Sequence, residues 1–377
     1  MVFFDMRELT LPGGSSLRPV ERIGIVGLPN AGKSALFNAL TGGSVAVAPH
    51  RFSTTETNVG IAQVPDHRLT ALAAMSQSKK TVHTSVELMD VAGLTAGSSA
   101  GEGLGNRFLA GIRESDALCL VLRAFEDPNV VGDSDPVEDL AVLELELVLA
   151  DADVVDTNVN RRRRAAKGDK SLAGEVAALE EAQVVLQAGQ PIYRSSLSVG
   201  ARAALKPFSL LTDKPVLAVV NLGEDQAADA ATLIKPVVDE LGDSADVLGV
   251  SVQLEAEAAR LDADEREELM EALGLGEGAL PRVARAAYHL LGRRTFLTTG
   301  DKESRAWTYR AGARAPECAG VIHSDLQRGF IRAEIIHWDE LLELGSWSAA
   351  KAAGRLRVEG KEYEVVDGDV LEIRFNV

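Results

Sequence analysis

The segment that most constrains the fold is Gly27 to Ser34, which reads GLPNAGKS and fits the pattern G-x-x-x-x-G-K-S. The apolar run from Ile23 to Val26 precedes it and predicts a buried parallel strand. Apolar residues from Leu36 to Leu40 follow at helical spacing. A glycine-rich turn between a strand and a helix directs successive N–H groups at a phosphate. The sequence therefore predicts a nucleoside-phosphate site on a parallel α/β sheet.

Three positions in this loop have a specific predicted contact. Lys33 is expected to reach the β- and γ-phosphates and to act in catalysis, and the Ser34 hydroxyl is expected to bind Mg²⁺. A K⁺ ion held beside the phosphates by Asn30 is a further hypothesis. The predicted nucleotide-binding residues of the loop are Asn30, Ala31, Gly32, Lys33, Ser34 and Ala35.

Two later segments fit the switch regions of a nucleotide hydrolase. Thr54 and Thr55 both lie in the loop before the second predicted strand, where such proteins place a threonine that senses Mg²⁺. Asp90 and Gly93 form a D-x-x-G motif at the end of a strand. Asp90 is expected to hold Mg²⁺ through water, and the Gly93 N–H is expected to contact the γ-phosphate during catalysis.

The residues after Gly93 leave the source of water activation open. Leu94 occupies the position where many such hydrolases carry a glutamine that orients the attacking water. An aliphatic side chain cannot do this, so turnover requires another group or is slow without a partner. The glycine-rich segment 96–105 fits either a mobile lid or a plain surface loop.

The base-reading segment argues against guanine. Asn221-Leu222-Gly223-Glu224 stands where a guanine site carries N-K-x-D. Glu224 is one methylene longer than aspartate, and Leu222 replaces the lysine stem that covers the base. Because guanine discrimination depends on a correctly placed acceptor, preference for guanine is expected to vanish. Asn221 can still bond the N6/N7 edge of adenine, and Ser251 lies in the loop expected to back the base.

A helical insertion separates two predicted strands of the sheet. Asp135 and Pro136 give a helix start, and apolar residues then recur at three- and four-residue spacing. A second apolar helical run follows the basic segment that contains Arg161–Arg164, so we expect an antiparallel hairpin. The arginine run fits both an rRNA contact and a solvated face.

Composition limits the partners and the compartment. The 377 residues carry a net charge of −17, which argues against a general nucleic-acid coat and against DNA binding. No run of 18 apolar residues is present, and the first seventeen residues do not fit a secretory signal. A cytoplasmic protein without membrane contact is therefore expected. Cys119 lies in an apolar run and is expected to be a buried structural thiol.

Several long segments together resemble the YchF/Obg-like ATPase family, from about Arg22 to Val377. They are GLPNAGKS, FSTTETNVG, DVAGLTAGSSAGEGLGNRFLAGIRESDA, NLGE and RGFIRAEII…DGDVLEIRFNV. The resemblance implies slow Mg²⁺-dependent hydrolysis of ATP in preference to GTP, and binding to the ribosome, through its large subunit or as a whole. It also implies Ser34 and Thr54 as Mg²⁺ ligands and Asn221, Leu222 and Glu224 on the adenine side. Leu120 replaces a histidine found in some family members, so no role of that histidine applies here.

The resemblance implies an α/β fold: a Ras-like P-loop G domain, an inserted coiled-coil hairpin and a C-terminal β-grasp domain of the TGS type. The predicted divisions are an N-terminal extension (1–19), the G domain (20–132 and 207–292), the helical insertion (133–206) and the TGS domain (293–377). The favoured function is a slow ATPase that acts as a ribosome-linked switch. The alternatives are an Obg-type GTPase and a nucleotide-gated binding module with negligible turnover.

Overall fold

The computed structural model describes residues 21–42, 58–91, 109, 111–127, 134–273 and 275–376. The predictions made for the N-terminal extension, Thr54, Thr55, Gly93, Leu94 and the segment 96–105 lie outside these residues.

The described strands and helices alternate along the first part of the chain, as expected for an α/β fold. In chain order the strands are β1 (Arg22–Gly27), β2 (Asn58–Val64), β3 (Thr81–Val82), β4 (Thr84–Asp90), β5 (Ala117–Arg123), β6 (Val216–Asn221), β7 (Asp246–Val250), β8 (Arg293–Thr298), β9 (Ser304–Arg310), β10 (Phe330–His337), β11 (Arg357–Glu359) and β12 (Asp369–Phe375). The helices are α1 (Lys33–Thr41), α2 (His67–Met75), α3 (Pro136–Ala165), α4 (Ala173–Gln187), α5 (Val199–Leu205), α6 (Ala230–Leu233), α7 (Lys235–Leu241), α8 (Val252–Ala258), α9 (Ala263–Ala272), α10 (Ala279–Leu290), α11 (Ala315–Ile322), α12 (Ser324–Arg328), α13 (Trp338–Leu344) and α14 (Trp347–Ala352).

A six-stranded sheet in the order β2-β4-β1-β5-β6-β7 holds the predicted phosphate loop. The strands are parallel except β2, which pairs antiparallel with β4. Ile23, Ile25 and Val26 of β1 have no exposed surface, which explains why this central strand reads as a continuous apolar run. The loop after β1 therefore lies at the carboxyl edge of the sheet, where open α/β sheets bind ligands.

Helices cover both faces of this sheet. On one face, α1, α8 and α10 pack on alternate residues of β1 and β5, including Ile25 and Cys119. On the other face, Leu140, Leu143 and Leu147 of α3 pack on the sheet with residues of α7. The first half of α3 thus covers the sheet, although the predicted helical insertion (133–206) included it. That division of the chain stays a prediction.

The second half of α3 pairs with α4 in the predicted antiparallel hairpin. Arg162 and Arg163 of α3 contact Glu175 and Glu180 of α4, at 3.2 Å and 2.6 Å between charged atoms. Arg161 donates to Asn158 on its own helix. Three members of the arginine run therefore have partners within the chain, which makes them part of the hairpin itself.

A second six-stranded sheet, β11-β10-β12-β8-β9-β3, contains the C-terminal strands. One of its faces packs against α11, and the other packs against α13 and α14. The short β3 adds to its edge, and Leu69 and Leu72 of α2 belong to its second core. Both residues fall in the segment 20–132, which was predicted to belong to the G domain, and that division of the chain stays a prediction. Residues between β2 and β4 leave the first sheet and complete the second.

Cys119 is buried, and burial raises the pKa of its thiol to about 12, so the prediction of a buried structural thiol is confirmed. No helix in the described part of the chain combines the length and apolar character needed to cross a membrane.

Candidate nucleotide-binding site

The loop between β1 and α1 has a backbone that only glycine permits at two points. Gly32 has φ of +95°, and a Cβ there would lie 2.2 Å from Asn221 Nδ2. A Cβ at Gly27 would lie 2.5 Å from the carbonyl oxygen of Val121. Asn30 also adopts a left-handed φ of +62°, a conformation that asparagine tolerates better than most residues. The motif glycines are thus required by close contacts from β5 and β6.

Lys33 is buried at the start of α1, and its Nζ donates to the carbonyl of Leu28 at 2.7 Å. Burial lowers the pKa of Lys33, while the negative charges of Asp90 and Asp139 act in the opposite direction. Anionic phosphate oxygens would favour the ammonium form further. A buried lysine bent back over a glycine-rich loop suits a phosphate ligand.

Ser34 and Asp90, two predicted Mg²⁺ residues that are far apart in sequence, lie in contact. The Ser34 hydroxyl donates to Asp90 Oδ2 at 2.8 Å. Asp90 ends β4, and its Cα pairs with that of Ile25 in the neighbouring strand β1, which places it beside the loop. A hydroxyl and a carboxylate supply the hard oxygen ligands that Mg²⁺ binds, often with water completing the shell. Thr54, the third predicted ligand, lies outside the described residues.

The side chain of Asn221 holds the loop. Its Nδ2 donates to the carbonyl of Ala31 at 3.0 Å, and its Oδ1 accepts from the backbone N–H of Val252 at 3.2 Å. The side chain is buried, and it joins β6, the phosphate loop and the start of α8. We predicted that this amide bonds adenine, whereas its contacts in the structure are to backbone groups.

The remaining base-side residues differ in their accessibility. Leu222 is 2% exposed and packs in the apolar core on the α3 side of the sheet, so it does not replace the lysine stem as a cover for the base. Glu224 is exposed at the start of a short 3₁₀ helix. The Ser251 hydroxyl is buried and has no hydrogen-bond partner among the described residues. Such a group gains from a polar ligand that reaches it.

The first turn of α1 completes the described part of the site. Ala31 is buried, and its carbonyl is held by Asn221, whereas Ala35 is exposed. The N–H groups in a first helical turn lack intrahelical partners and point outward along the axis, where they attract anions. Gly93, the second predicted catalytic residue, lies outside the described residues.

Sequence reasoning missed one residue near the site. Asp139, in the first turn of α3, accepts from the backbone N–H of Arg123 at 2.8 Å, and its charge acts on Lys33. The position of Asp139 in the sequence could have indicated that it lies near the site. Asp139 lies one turn into a helix that begins soon after a strand ending at the carboxyl edge of the sheet.

The loop, Lys33, Ser34 and Asp90 define a P-loop nucleoside triphosphatase. Two family profiles match the chain, one described as "50S ribosome-binding GTPase" over residues 22–160 and one described as YchF-GTPase_C, a "protein of unknown function", over residues 294–376. Relatives that are more than 40% identical over 94% of the chain show that it belongs to the YchF family. The predicted α/β fold with a P-loop domain, long helices and a C-terminal sheet is confirmed.

Close relatives align over almost their whole length. The "Ribosome-binding ATPase YchF" of Bacillus subtilis (strain 168) is 44% identical over 361 residues, covering 94% of this chain and 99% of the relative. The protein of the same name from Escherichia coli O157:H7 is 42% identical over 365 residues, with the same coverage. The solved structure of the Schizosaccharomyces pombe YchF GTPase has a TM-score of 0.81 at 32% identity, covering 94% of this chain and 97% of that one.

Proposed function

We propose that this protein is a Mg²⁺-dependent ATPase that binds ribosomes and hydrolyses ATP slowly as a translation-linked switch in the cytoplasm. The observation that carries the proposal is the contact of Ser34 with Asp90 beside the buried Lys33 on a glycine-constrained loop. The names of relatives that match 94% of the chain support the nucleotide and the partner. The C-terminal sheet is assigned to the TGS type as part of the same proposal.

In the proposed reaction the chain positions the phosphates and stabilises negative charge. Lys33 and the N–H groups from Asn30 to Ala35 hold the β- and γ-phosphate oxygens, and Gly93 donates to the γ-phosphate. Ser34 and Thr54, and Asp90 through water, would hold Mg²⁺, which would supply positive charge beside the transferring group. A water molecule attacks the γ-phosphorus while the bond from that phosphorus to the β–γ bridging oxygen breaks, which gives ADP and inorganic phosphate, and the protons of the water go to the phosphate and to solvent. Lys33→Met is expected to abolish phosphate release, and equal rates in this variant and the wild type would contradict the assignment.

ATP is preferred over GTP, because the N-K-x-D position that reads guanine holds Asn221-Leu222-Gly223-Glu224 in this chain. The proposal is supported by Glu224, which is one methylene longer than the aspartate that reads guanine, and by Leu222, which packs in the core. The buried Ser251 hydroxyl remains available to the base. Titration with fluorescent ATP and GTP analogues tests this preference directly. Tighter binding of the GTP analogue would favour the Obg-type alternative.

The ribosome contact is proposed to involve the end of the hairpin. Arg164, Lys167 and Lys170 are exposed around the turn between α3 and α4, where rRNA phosphates can reach them. Co-sedimentation with whole ribosomes and with isolated large subunits, each with ATP and with ADP, separates the possible partners. Replacing the three residues by glutamine is expected to weaken binding and to lower its salt dependence. Unchanged binding and salt dependence would remove the hairpin from the contact.

A second candidate function is a nucleotide-gated binding module without useful turnover. It is favoured by Leu94, which occupies the position of the usual water-orienting glutamine. Phosphate release with ribosomes and ATP distinguishes the two, because release well above background excludes the binding module. The same assay in K⁺ and in Na⁺ tests the hypothesis that Asn30 helps to hold K⁺, and equal rates would exclude it.

A further inference from the structure

Three hydrogen bonds, connected through the backbone of Arg123 and Ala124 and through Asn221, link helix α3 to the phosphate loop. Asp139 in the first turn of α3 accepts from the N–H of Arg123 at 2.8 Å. Arg123 ends β5, and its Cα pairs with that of Asn221 in β6. The carbonyl of Asn221 also accepts from Ala124 N at 2.9 Å. Since the Asn221 side chain holds the carbonyl of Ala31, three bonds separate the helix from the loop.

The negative charge of the same carboxylate also acts on the lysine of the phosphate site. Asp139 is half-buried, and its charge raises the pKa of Lys33 against the effect of burial. Burial raises the pKa of Asp139 itself, while the bond from Arg123 N favours its charged form. Asp139 is thus bonded to β5, which pairs with the strand of Asn221, and its charge acts on the phosphate-binding lysine.

Helix α3 extends from this site to the distal turn of the hairpin. It has 30 residues, which corresponds to a length of about 45 Å. Its first half packs on the sheet, and its second half pairs with α4. Helix α3 is thus a contiguous packed element between the two ends, of the kind that carries energetic coupling between distant sites.

We propose that Asp139 is a positioning residue that couples the orientation of α3 to the geometry of the phosphate loop, through Arg123 N–H and Asn221. Nucleotide binding and hydrolysis then respond to what is bound at the far end of the hairpin. Only this last step rests on the proposed ribosome contact. The coupling itself is a property of the isolated chain and is tested without ribosomes.

The test compares two neighbouring acidic residues. Asp139→Ala removes the acceptor for Arg123 N–H, whereas Glu138→Ala removes the same charge from the same helical turn at an exposed position without that bond. Asp139→Asn keeps an acceptor oxygen. The dissociation constant of a fluorescent ATP analogue is measured with Mg²⁺ for each variant, and circular dichroism melting checks that each variant is folded.

The expected result is a weakening of about tenfold for Asp139→Ala, within the usual range of coupling between sites. Glu138→Ala is expected to stay within about twofold of the wild type, and Asp139→Asn within about threefold. Asp139→Ala binding as tightly as Glu138→Ala would overturn the proposal. Asp139→Asn as weak as Asp139→Ala would also overturn it, because the bond would then not be the coupling.

Hydrogen exchange gives a readout that a purely structural role would not change. In the wild type and in Glu138→Ala, the ATP analogue is expected to slow exchange of the amides from Leu140 to Leu147. In Asp139→Ala this protection is expected to be lost, while protection at the phosphate loop remains. Absence of ligand-dependent protection of α3 in the wild type would reject the coupling even if the variants fold poorly. If the wild type binds GTP instead of ATP, the nucleotide assignment fails, and the same comparison is made with GTP.

Discussion

Gly32 is constrained both by its backbone conformation and by its neighbour. Its φ is +95°, and a Cβ would lie 2.2 Å from the Asn221 amide that holds the loop. Gly32→Ala is therefore expected to displace either the loop or Asn221 and to weaken ATP binding by at least about 100-fold. Gly42→Ala is the control, because Gly42 also has positive φ, +61°, with no atom within 4 Å of its Cβ position. ATP-analogue titration and melting of both variants decide the matter. Similar binding losses in the two would show that backbone strain alone is responsible.

The free energy of unfolding is expected to depend on pH through Glu255. It is buried beside α10, where it accepts from Ala279 N–H, and burial raises its pKa. Since the unfolded chain then loses this proton at a lower pH, the folded state holds more protons between the two pKa values. The contribution of Glu255 to stability is thus greatest below its unfolded pKa and falls as pH rises towards the folded pKa. Glu255→Gln is expected to flatten this fall in urea-unfolding free energies, and an unchanged slope would contradict the prediction.

Some contacts of the site residues could be predicted from the sequence and others could not. The loop pattern located Lys33 and Ser34, because their chemistry follows from spacing along one short segment. The contact between Ser34 and Asp90 was predictable as well, since the motif that contains Asp90 follows a strand. The partners of Asn221 were not, because an amide can bond either a base or a backbone carbonyl. In the structure the carbonyl of Ala31 lies within hydrogen-bond distance of the Asn221 amide, so the amide bonds the backbone.

At the level of elements, Asp151 fixes α3 to the chain that leads into β6. It has no exposed surface and accepts from Leu211 N, Thr212 N and Thr212 Oγ1 at 2.7–3.0 Å. Asp151→Ala would leave these buried donors without a partner, at an expected cost of about 3–5 kcal/mol. Asp153→Ala, at an exposed position on the same helix, is expected to change stability by no more than about 0.5 kcal/mol. Chemical denaturation of both variants measures the difference, and equal stabilities would rule out this anchoring role.

The start of α3 was more predictable than its end, because the helix includes Arg161–Arg164, and more predictable than its packing. An N-cap aspartate, a proline at the next position and an apolar repeat define its start and its inner face. The repeat does not state which surface each turn covers. Leu140 and Leu143 face the sheet, whereas Val155 and Val159 face the hairpin. A periodic apolar face predicts burial, and the partner depends on where the chain turns next.

At the scale of the whole molecule, the segment between β2 and β4 joins the two sheets. Its apolar residues Leu69 and Leu72 have the spacing of an ordinary covering helix, so their sequence gives no sign that the second sheet is their partner. Only the three-dimensional structure shows that this segment belongs to the second sheet, because β3 pairs with β9, which follows it by more than 200 residues. Local patterns do not encode contacts at that distance.

Arg68 is the main charged contact across this junction. It bonds Asp66 beside it and Asp367 before β12, with a 2.6 Å contact to Asp367 and an exposed side-chain fraction of only 16%. Asp367 in turn accepts from Thr295 N–H at 2.7 Å. Arg68→Met would leave two partly buried carboxylates without their cation, and we expect a loss of about 2–4 kcal/mol.

Arg314→Met is the matched control, since Arg314 pairs with Glu362 at an exposed site within the second sheet region. It is expected to cost less than about 1 kcal/mol. If the junction makes the two sheets unfold together, the wild type and Arg314→Met give one urea transition by both circular dichroism and tryptophan fluorescence. In Arg68→Met the two signals separate, because Trp307, Trp338 and Trp347 all lie in the second sheet region. Coincident transitions in Arg68→Met, at the midpoint of the wild type, would show that contacts other than those of Arg68 couple the sheets.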